Sequence, residues 1–456
     1  MVRTVEQVRD TGRSAAPEAP VSGPIARVVV GSVAIGLVGA AVLTLVVFAG
    51  AKEHIITGAA LLGFAAGWAA LAALTTRLTR QPQRWAFVPA AAMAVVAVGL
   101  FVFAPGNHAL RSTGWVWPPA LLVLTIWMFR QVRRDLHSRT RAWVLYPILA
   151  VLVLAAVGGA VETVGETSHI PGPTAGRVVD VGGRRMYLNC TGAGSPTVVL
   201  FGGSGEHSSS WAWVAPAVAS TTRVCAYDRA GQGWSDGAPN APQDGAEVAA
   251  DLHTLLDRAH VPGPYVLAGH SVGGTYALTF AAKYPSDVAG MALVDSSSPL
   301  QCDLSWYPGF YAADQRVSAL FPTLSRMGVA RLAFGSSFGG LPPRARAQER
   351  DFVSTPREMR SQRDEFSQLR TVFRQAQALT SLGNKPLFVL SAGKGQKAGW
   401  FGAQDKLATL SNNSVRQTAA GATHAALLDD QAQAKNSSQA ILAVVASVRT
   451  GAPLSR

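Results

Sequence analysis

Five long apolar segments fill the first third of this 456-residue chain, and they constrain its fold more strongly than any other feature. A helix needs about 20 residues to cross the hydrocarbon core of a bilayer, and four of the segments have about that length. The fourth segment is shorter and contains Pro118 and Pro119, so a kinked or re-entrant segment is the alternative there. The sequence therefore predicts a membrane α-helical bundle over residues 28–164. Its five predicted spans are 28–50, 55–76, 86–104, 114–129 and 142–161.

Basic residues lie unevenly in the connections between the apolar segments. If all five segments span, 12 Lys and Arg residues fall on one side of the membrane and 2, Lys52 and Arg111, fall on the other. Because positive charge is retained on the cytoplasmic side, this distribution predicts a cytoplasmic segment 1–27 and an extracytoplasmic part 177–456. A re-entrant fourth segment would move the arginines of 130–141 to the outer side, which the same rule disfavours. The pattern indicates a multi-pass protein of the cell (plasma) membrane.

Two other interpretations of the N-terminal third are less favoured. The tripeptide Ala49-Gly50-Ala51 resembles a signal-peptide cleavage site, but a signal peptide has an apolar core of about 7–15 residues, which the first segment exceeds. An uncleaved anchor is favoured, and both interpretations leave the C-terminal part outside. The net charge of +13 does not indicate nucleic-acid binding, because the basic residues cluster between apolar segments instead of lining one face. The expected partner is the lipid bilayer.

From residue 177 onward, short β-rich runs alternate with helical patterns, which is typical of an α/β sheet protein. A polar stretch punctuated by Pro and Gly, 165–176, is the predicted linker between this part and the spans. Runs that are apolar throughout, such as Thr197–Phe201, are typical of fully buried strands. The sequence predicts a mostly parallel sheet with helices on both faces.

The hexapeptide Gly269–Gly274 (GHSVGG) directly follows the apolar run Pro264–Ala268 and precedes good helix formers. A serine on such a strand–turn–helix junction needs glycines on either side, because the backbone is strained and neighbouring strands leave no room for a Cβ. The turn exposes the Ser271 hydroxyl and places the Val272 N–H at a helix N-terminus, where developing negative charge is stabilised. This is the pattern of a nucleophile elbow, and an ordinary helix N-cap is its structural alternative.

Four segments together resemble the α/β-hydrolase superfamily, in its single-domain serine hydrolase group. In chain order they are Phe201–Gly205 (FGGSG), Asp228–Ser235 (DRAGQGWS), Gly269–Gly274 and Gly421–His424 (GATH). The resemblance covers about residues 177–450 and none of the predicted spans. It implies an α/β-hydrolase fold with a helical lid over 299–383.

The resemblance also implies three roles around the elbow. Ser271 is the nucleophile, and His424, on the loop after the last strand, is the base in the family's Ser–acid–His order. The backbone N–H groups of Gly203 and Val272 form the oxyanion hole. Another histidine, His207, fits the role of base less well because it follows the strand that leads into the oxyanion loop.

The acid of the catalytic triad has two candidates. Many family members carry it in the loop after the strand that here is predicted over Pro386–Leu390, but that loop contains no carboxylate, and the next one is Asp405. A known variation in the superfamily places the acid one strand earlier, where Asp295 ends an apolar run. Asp295 is favoured and Asp405 is the alternative. The structural alternative for Asp295 is a turn residue that caps its strand.

The three cysteines, Cys190, Cys225 and Cys302, all lie in the part expected outside the cytoplasm, where disulfides persist. In the strand order that the resemblance implies, the strands of Cys190 and Cys225 are neighbours. This predicts a disulfide between them, with Cys302 as the remaining cysteine. The sequence has no metal-ligand spacing and no nucleotide-binding loop, so no metal and no cofactor are expected.

Together these features predict a membrane-anchored serine hydrolase that cleaves a carboxylic ester, or less favourably an amide, outside the cytoplasm through an acyl-enzyme on Ser271. The alternative is a non-catalytic hydrolase-fold domain that serves binding or signalling on a membrane bundle. Related chemistry on the same scaffold, such as carbon–carbon hydrolysis or acyl transfer, also stays open. The expected partner in the site is a small-molecule ester or acyl substrate. The sequence leaves its identity and the oligomeric state open.

Overall fold

The computed structural model describes residues 23–167, 173, 175–238 and 241–455 of the chain. Most of the predicted cytoplasmic segment 1–27 and part of the predicted linker 165–176 therefore lie outside the described residues. Within the described residues, a group of apolar helices precedes an eight-stranded sheet with its own helices.

The described N-terminal part consists of six α-helices. They are α1 (Gly23–Val42), α2 (Glu53–Leu78), α3 (Phe87–Phe103), α4 (Asn107–Thr113), α5 (Trp117–Asp135) and α6 (Tyr146–Thr167). A short π-helical turn, Leu43–Val47, extends α1, and another, Arg141–Leu145, leads into α6. Across the described residues, four helical segments, built on α1, α2, α3 and α6, are long and apolar enough to cross a membrane.

The predicted fourth span, 114–129, has different boundaries in the structure. Helix α5 begins at Trp117, so Pro118 and Pro119 occupy its first turn, where a missing N–H leaves no helical hydrogen bond unmade. Helices α4 and α5 together have the length and hydropathy of a span, with a bend of 45° between them. The described part of the chain thus has four candidate spans, or five if this bent pair is one span.

Helices α1 and α2 approach each other closely at glycines. A Cβ added to Gly63 would lie 2.2 Å from the backbone N of Ala40, and one added to Gly67 would lie 2.7 Å from the Cα of Gly36. In a bilayer, where lipid tails are as apolar as leucine, small residues promote helix association by letting two backbones come into van der Waals contact. The packing of the first two candidate spans depends on these glycines.

Eight strands form one sheet with the order β1-β2-β4-β3-β5-β6-β7-β8. They are β1 (Arg177–Asp180), β2 (Arg185–Thr191), β3 (Thr197–Phe201), β4 (Val224–Tyr227), β5 (Tyr265–His270), β6 (Val288–Val294), β7 (Leu387–Ala392) and β8 (Ser414–Ala419). The pairs β1–β2 and β2–β4 are antiparallel and the other five pairs are parallel. The prediction of a mostly parallel sheet is confirmed.

Helices cover both faces of this sheet. They are α7 (Val214–Ala219), α8 (Gly245–Arg258), α9 (Val272–Lys283), α10 (Tyr307–Ser318), α11 (Phe321–Arg326), α12 (Val329–Ala333), α13 (Pro343–Val353), α14 (Pro356–Ala376), α15 (Trp400–Ala408), α16 (Ala426–Asp429) and α17 (Ala434–Thr450). Alternate residues of β3 contribute to two separate apolar clusters, one shared with α8 and α9 and the other with α7 and α17. Helices α10–α14 lie between β6 and β7 in the chain, in the region predicted as the lid, and residues 299–383 are called the lid segment below.

A disulfide joins the antiparallel edge of the sheet to its parallel part. Cys190 on β2 is paired in register with Cys225 on β4, and their sulfurs are bonded. Cys302 is a free thiol.

The close approach of α1 and α2 makes a testable prediction for Gly63→Ala. Because the new methyl group would meet the backbone of Ala40, overpacking should cost about 1–3 kcal/mol and lower the thermal unfolding midpoint of the full chain in detergent. The matched control is Gly99→Ala in α3, since nothing lies within 4 Å of a Cβ at Gly99. Equal midpoints for the two variants would contradict the packing described here.

Candidate active site

Ser271 occupies the sharp turn between β5 and α9. Its backbone lies at φ 56° and ψ −132°, outside the regions that residues other than glycine favour. A Cβ on Gly273 would lie 2.2 Å from the carbonyl oxygen of Phe201, and one on Gly269 would lie 2.4 Å from the Cα of Gly274. Glycines are therefore required around Ser271, because β3, β5 and α9 meet there with no room for side chains.

Asp295, directly after β6, accepts a hydrogen bond from His424. His424 Nδ1 lies 2.6 Å from Asp295 Oδ2, and the carboxylate is fully buried while the imidazole is partly exposed. Three further donors reach the same carboxylate: Ala392 N at 3.1 Å, Trp400 Nε1 at 2.9 Å and Gln396 Nε2 at 2.9 Å. Burial alone would raise the pKa of Asp295, but the hydrogen bonds and the charge of His424 outweigh it, and the pKa of Asp295 lies below its ordinary value.

Asp405, the alternative acid from the sequence, lies in α15. Its Oδ1 is 2.6 Å from Arg416 Nε, and 64% of its side chain is exposed to solvent. The structure therefore brings Asp295, and not Asp405, to His424. The physical reason is the strand order: β6 and β7 are neighbours, so the end of β6 lies beside the loop that carries the other donors to Asp295.

His424 is held next to the elbow by His270, the residue directly before Ser271. The two imidazole rings have their centroids 4.4 Å apart, and His270 Nε2 donates to the carbonyl oxygen of His424 at 3.1 Å. Within the described structure, no hydrogen bond joins the Ser271 hydroxyl to His424. Such bonds are often long before a substrate is bound and shorten in the complex with substrate.

The two expected oxyanion donors differ in their surroundings. Val272 is the first residue of α9, so its N–H lies at a helix N-terminus and is not needed for the helix. The N–H of Gly203 donates to Glu206 Oε2 at 2.5 Å, and a Cβ on Gly203 would lie 2.8 Å from the Cβ of Ser271. The Glu206 carboxylate therefore accepts the hydrogen bond of one expected oxyanion donor, the Gly203 N–H, directly beside Ser271.

Glu206 also pairs with His270. Its Oε1 lies 2.6 Å from His270 Nδ1. Burial alone would raise the pKa of Glu206, but the charge and hydrogen bond of His270 and the Gly203 N–H outweigh it and lower that pKa. Burial alone would lower the pKa of His270, but the Glu206 carboxylate raises it above its ordinary value. Sequence reasoning missed Glu206, and the only signal was an acidic residue directly after the Gly-rich segment.

The Gly-rich loop, Gly202–Gly205, is fixed from behind by Arg229. The guanidinium donates to the carbonyl oxygens of Gly202 at 2.5 Å and Gly203 at 2.6 Å. It also pairs with Glu365 of α14, with 2.7 Å between Arg229 Nη2 and Glu365 Oε1. Glu365 in turn accepts a hydrogen bond from Ser204 Oγ at 2.9 Å. Arg229, in the segment Asp228–Ser235, therefore supports the Gly-rich loop.

His207 forms a buried network with the lid segment instead of joining the candidate site. Its Nδ1 lies 2.8 Å from Glu349 Oε2 of α13, and its Nε2 lies 3.1 Å from Glu358 Oε2 of α14. Burial alone would lower the pKa of His207, but the two carboxylates raise it well above its ordinary value. An imidazolium between two carboxylates thus ties α13 and α14 to the loop after β3.

Residues 196–431 match the family described as the alpha/beta hydrolase fold. An uncharacterized protein of Schizosaccharomyces pombe is 28% identical over 398 residues, which cover 76% of this chain and 69% of the relative. A pimeloyl-[acyl-carrier protein] methyl ester esterase of Chromobacterium violaceum is 36% identical over 123 residues, which cover 26% of this chain and 44% of the esterase. Among solved structures, a thermophilic esterase from Thermogutta terrifontis aligns with a TM-score of 0.48 and 20% identity, over 61% of this chain and 100% of that chain.

The His207 network predicts a pH-dependent contribution to stability. A histidine whose pKa is raised by folding stabilises the fold fully below its unfolded pKa, about 6.5, and the contribution is lost as the pH rises through the folded value. His207→Gln should therefore lower the thermal unfolding midpoint most at pH 6 and progressively less towards pH 9. The control is His253→Gln at a partly exposed histidine. A loss in His207→Gln that does not change with pH would refute a charged His207.

Proposed function

Since the chain belongs to the α/β-hydrolase fold family, we propose that it is a membrane-anchored serine hydrolase that cleaves a carboxylic ester outside the cytoplasm. The observation that carries the proposal is the hydrogen bond from His424 to the buried Asp295, beside the elbow at Ser271. Acyl transfer through a serine needs a base that takes its proton and a carboxylate that orients the base. The relative named as a methyl ester esterase supports an ester as the substrate, with an amide less favoured.

In the proposed reaction, Ser271 Oγ attacks the carbonyl carbon while His424 Nε2 takes the hydroxyl proton. Asp295 holds the Nδ1–H side of the ring and stabilises the imidazolium that forms. Collapse of the tetrahedral intermediate breaks the bond to the alkoxy group, which leaves as the alcohol with the proton from His424. Water then attacks the acyl-enzyme with His424 as base again, which releases the acid and restores Ser271.

The negative charge of the tetrahedral intermediate needs donors on its oxygen. The Val272 N–H supplies one, and the Gly203 N–H supplies the second once the Glu206 carboxylate has moved away from it. One such donor is worth on the order of 10²–10³ in rate, so the displacement of Glu206 is part of the proposed mechanism.

Glu206 also favours a second candidate function. A carboxylate on the Gly203 N–H repels an oxyanion, and a site that keeps this arrangement would bind a ligand without cleaving it. The second candidate is therefore a non-catalytic hydrolase-fold domain for binding or signalling on the membrane bundle.

The proposed location rests on the charges between the apolar segments. With five spans, 12 of the 14 basic residues in residues 1–161 lie on the side of the N-terminus, which the positive-inside rule assigns to the cytoplasm. The sheet domain follows the last span and lies on the opposite side.

A membrane-impermeant fluorophosphonate probe on intact cells tests reaction and location together. Wild-type protein should be labelled, and Ser271→Ala should not, because the probe phosphonylates an activated serine. Ser414→Ala, at an exposed serine at the start of β8, is the control and should be labelled as wild type. Folded wild-type protein that stays unlabelled even after cell lysis would favour the non-catalytic function, and labelling only after lysis would refute the proposed location.

The role of Asp295 predicts a difference between two Asp→Asn variants. Asp295→Asn should lower kcat for an ester by about 10⁴, because the neutral amide leaves the imidazole in the wrong tautomer. Asp405→Asn should keep wild-type kcat. Because Asp295 accepts four hydrogen bonds, the thermal midpoint of each variant is measured alongside. Full activity in a folded Asp295→Asn protein would exclude it as the triad acid.

A further inference from the structure

The lid segment is attached to one end of the helix bundle. Glu53, the first residue of α2, is buried, and its carboxylate accepts hydrogen bonds from Arg326 of α11 and Arg360 of α14. Arg326 also donates to Asn107 Oδ1 at 2.9 Å. A buried carboxylate that holds two guanidinium groups fixes the lid segment against the start of α2.

A second attachment lies along α6. Arg331 Nε of α12 is 3.0 Å from Glu162 Oε2. A Cβ on Gly158 would lie 2.1 Å from the carbonyl oxygen of Met327, so the turn before α12 touches the α6 backbone. Gly158 precedes the last residue of α6, Thr167, by nine positions, which is about 13 Å along a helix. The lid segment therefore lies beside a candidate span, well below the end of that helix.

Apolar side chains of α12 are exposed where the lid segment meets α6. Leu332 is 84% exposed and Val329 is 40% exposed, and they neighbour Arg331 and Gly328, the lid residues that contact α6. On α6 itself, valines at the same level are more than half exposed, as lipid-facing side chains of a span are. They are Val157 and Val161. The exposed apolar surface of α12 is thus continuous with that of a candidate span.

A cavity of about 410 Å³, lined by both polar and apolar side chains, lies between α4 of the bundle, α14 and the loop after β4. Asn107 and His108 line it from the bundle, Arg360 lines it from α14, and Arg229 and Gln232 line it from the sheet domain. Gln232 is buried, and its Oε1 has no hydrogen-bond partner among the described residues, nor does the Nε of Arg229. Unpartnered buried donors and acceptors among the lining residues suit a polar ligand group in this cavity.

We infer that α12 and the turn before it are immersed in the adjoining lipid leaflet, and that the substrate is an amphiphilic acyl ester that remains in the bilayer while Ser271 cleaves it. The substrate class rests on the proposed function, whereas the immersion does not. The apolar face of α12 contacts acyl chains, and Arg326 and Arg331 lie at headgroup level, where their guanidinium groups pair with Glu53 and Glu162 of the bundle.

One helix connects this membrane contact to the candidate site. In α14, Arg360 donates to Glu53 of the bundle. Five residues later, Glu365 pairs with Arg229 and accepts a hydrogen bond from Ser204. The bundle thus holds the same helix that supports the Gly-rich loop. A lid segment fixed in this way stays at the membrane surface while its substrate arrives by diffusion in the leaflet.

The immersion is tested with the full chain in phosphatidylcholine vesicles, independently of activity. Leu332→Cys, in a Cys302→Ser background, is labelled with an environment-sensitive NBD dye, and lipids with a nitroxide on the acyl chain serve as quencher. The control label is at Ser414→Cys, the start of β8, at the end of the parallel strands away from Ser271. The Leu332 label should emit at shorter wavelength and lose intensity with the quencher, and the control label should do neither. Equal behaviour of the two labels overturns the immersion.

The substrate class is tested with two esters, p-nitrophenyl acetate in water and a long-chain diacylglycerol in the vesicle. Leu332→Ser should lower kcat/KM for the vesicle ester about tenfold, the loss expected for removing one leucine side chain from an apolar contact, and leave the soluble ester unaffected. Phe401→Ser, at a partly exposed aromatic of α15, is the control. Wild-type protein that cleaves neither ester contradicts the proposed function. Cleavage of only the soluble ester, or equal loss on both, overturns the substrate class while the proposed function stands.

Discussion

The buried carboxylate of Asp295 is the interaction on which the arrangement of the candidate site depends. A charge with no exposed surface is tolerated only where donors surround it, and this one accepts hydrogen bonds from four separate points of the chain. Those donors come from the end of β7, from the loop after it, from α15 and from His424. Removal of the carboxylate would leave four donors unpaired, so the position of His424 is linked to the packing around the ends of β6 and β7.

Much of the fold could be predicted from the sequence because the constraints there are local. The glycines around Ser271 are required by backbone contacts within one strand–turn–helix unit, and the apolar strands precede their turn residues in regular order. The choice between Asp295 and Asp405 could not be made in this way. It depends on which strand end lies next to His424, and that is a property of strand order in space, which no local pattern contains.

Side-chain contacts between distant segments could not be predicted from the sequence either. Glu206 follows the Gly-rich loop by one position, yet nothing in its neighbours indicates that its carboxylate turns back onto the Gly203 N–H. Likewise, the sequence shows Glu53 only as an acidic residue near the start of an apolar segment. The arginines that it binds are more than 270 positions away. The charges near the spans predict an orientation, but they do not predict the contact between the bundle and the lid segment.

The contact between Glu206 and Gly203 has a consequence for selectivity in a hydrolase of this design. Because Glu206 directly follows the Gly-rich loop, its carboxylate would act as an internal competitor at high effective concentration for the N–H that the proposed mechanism assigns to the carbonyl oxygen of a substrate. A small ester that contacts the protein only through its carbonyl group has little binding energy with which to displace Glu206. A substrate with many contacts elsewhere on the protein has binding energy available to displace it. Contacts far from the bond that breaks would then decide which substrate is cleaved. Without such a substrate, Glu206 would keep the site inactive.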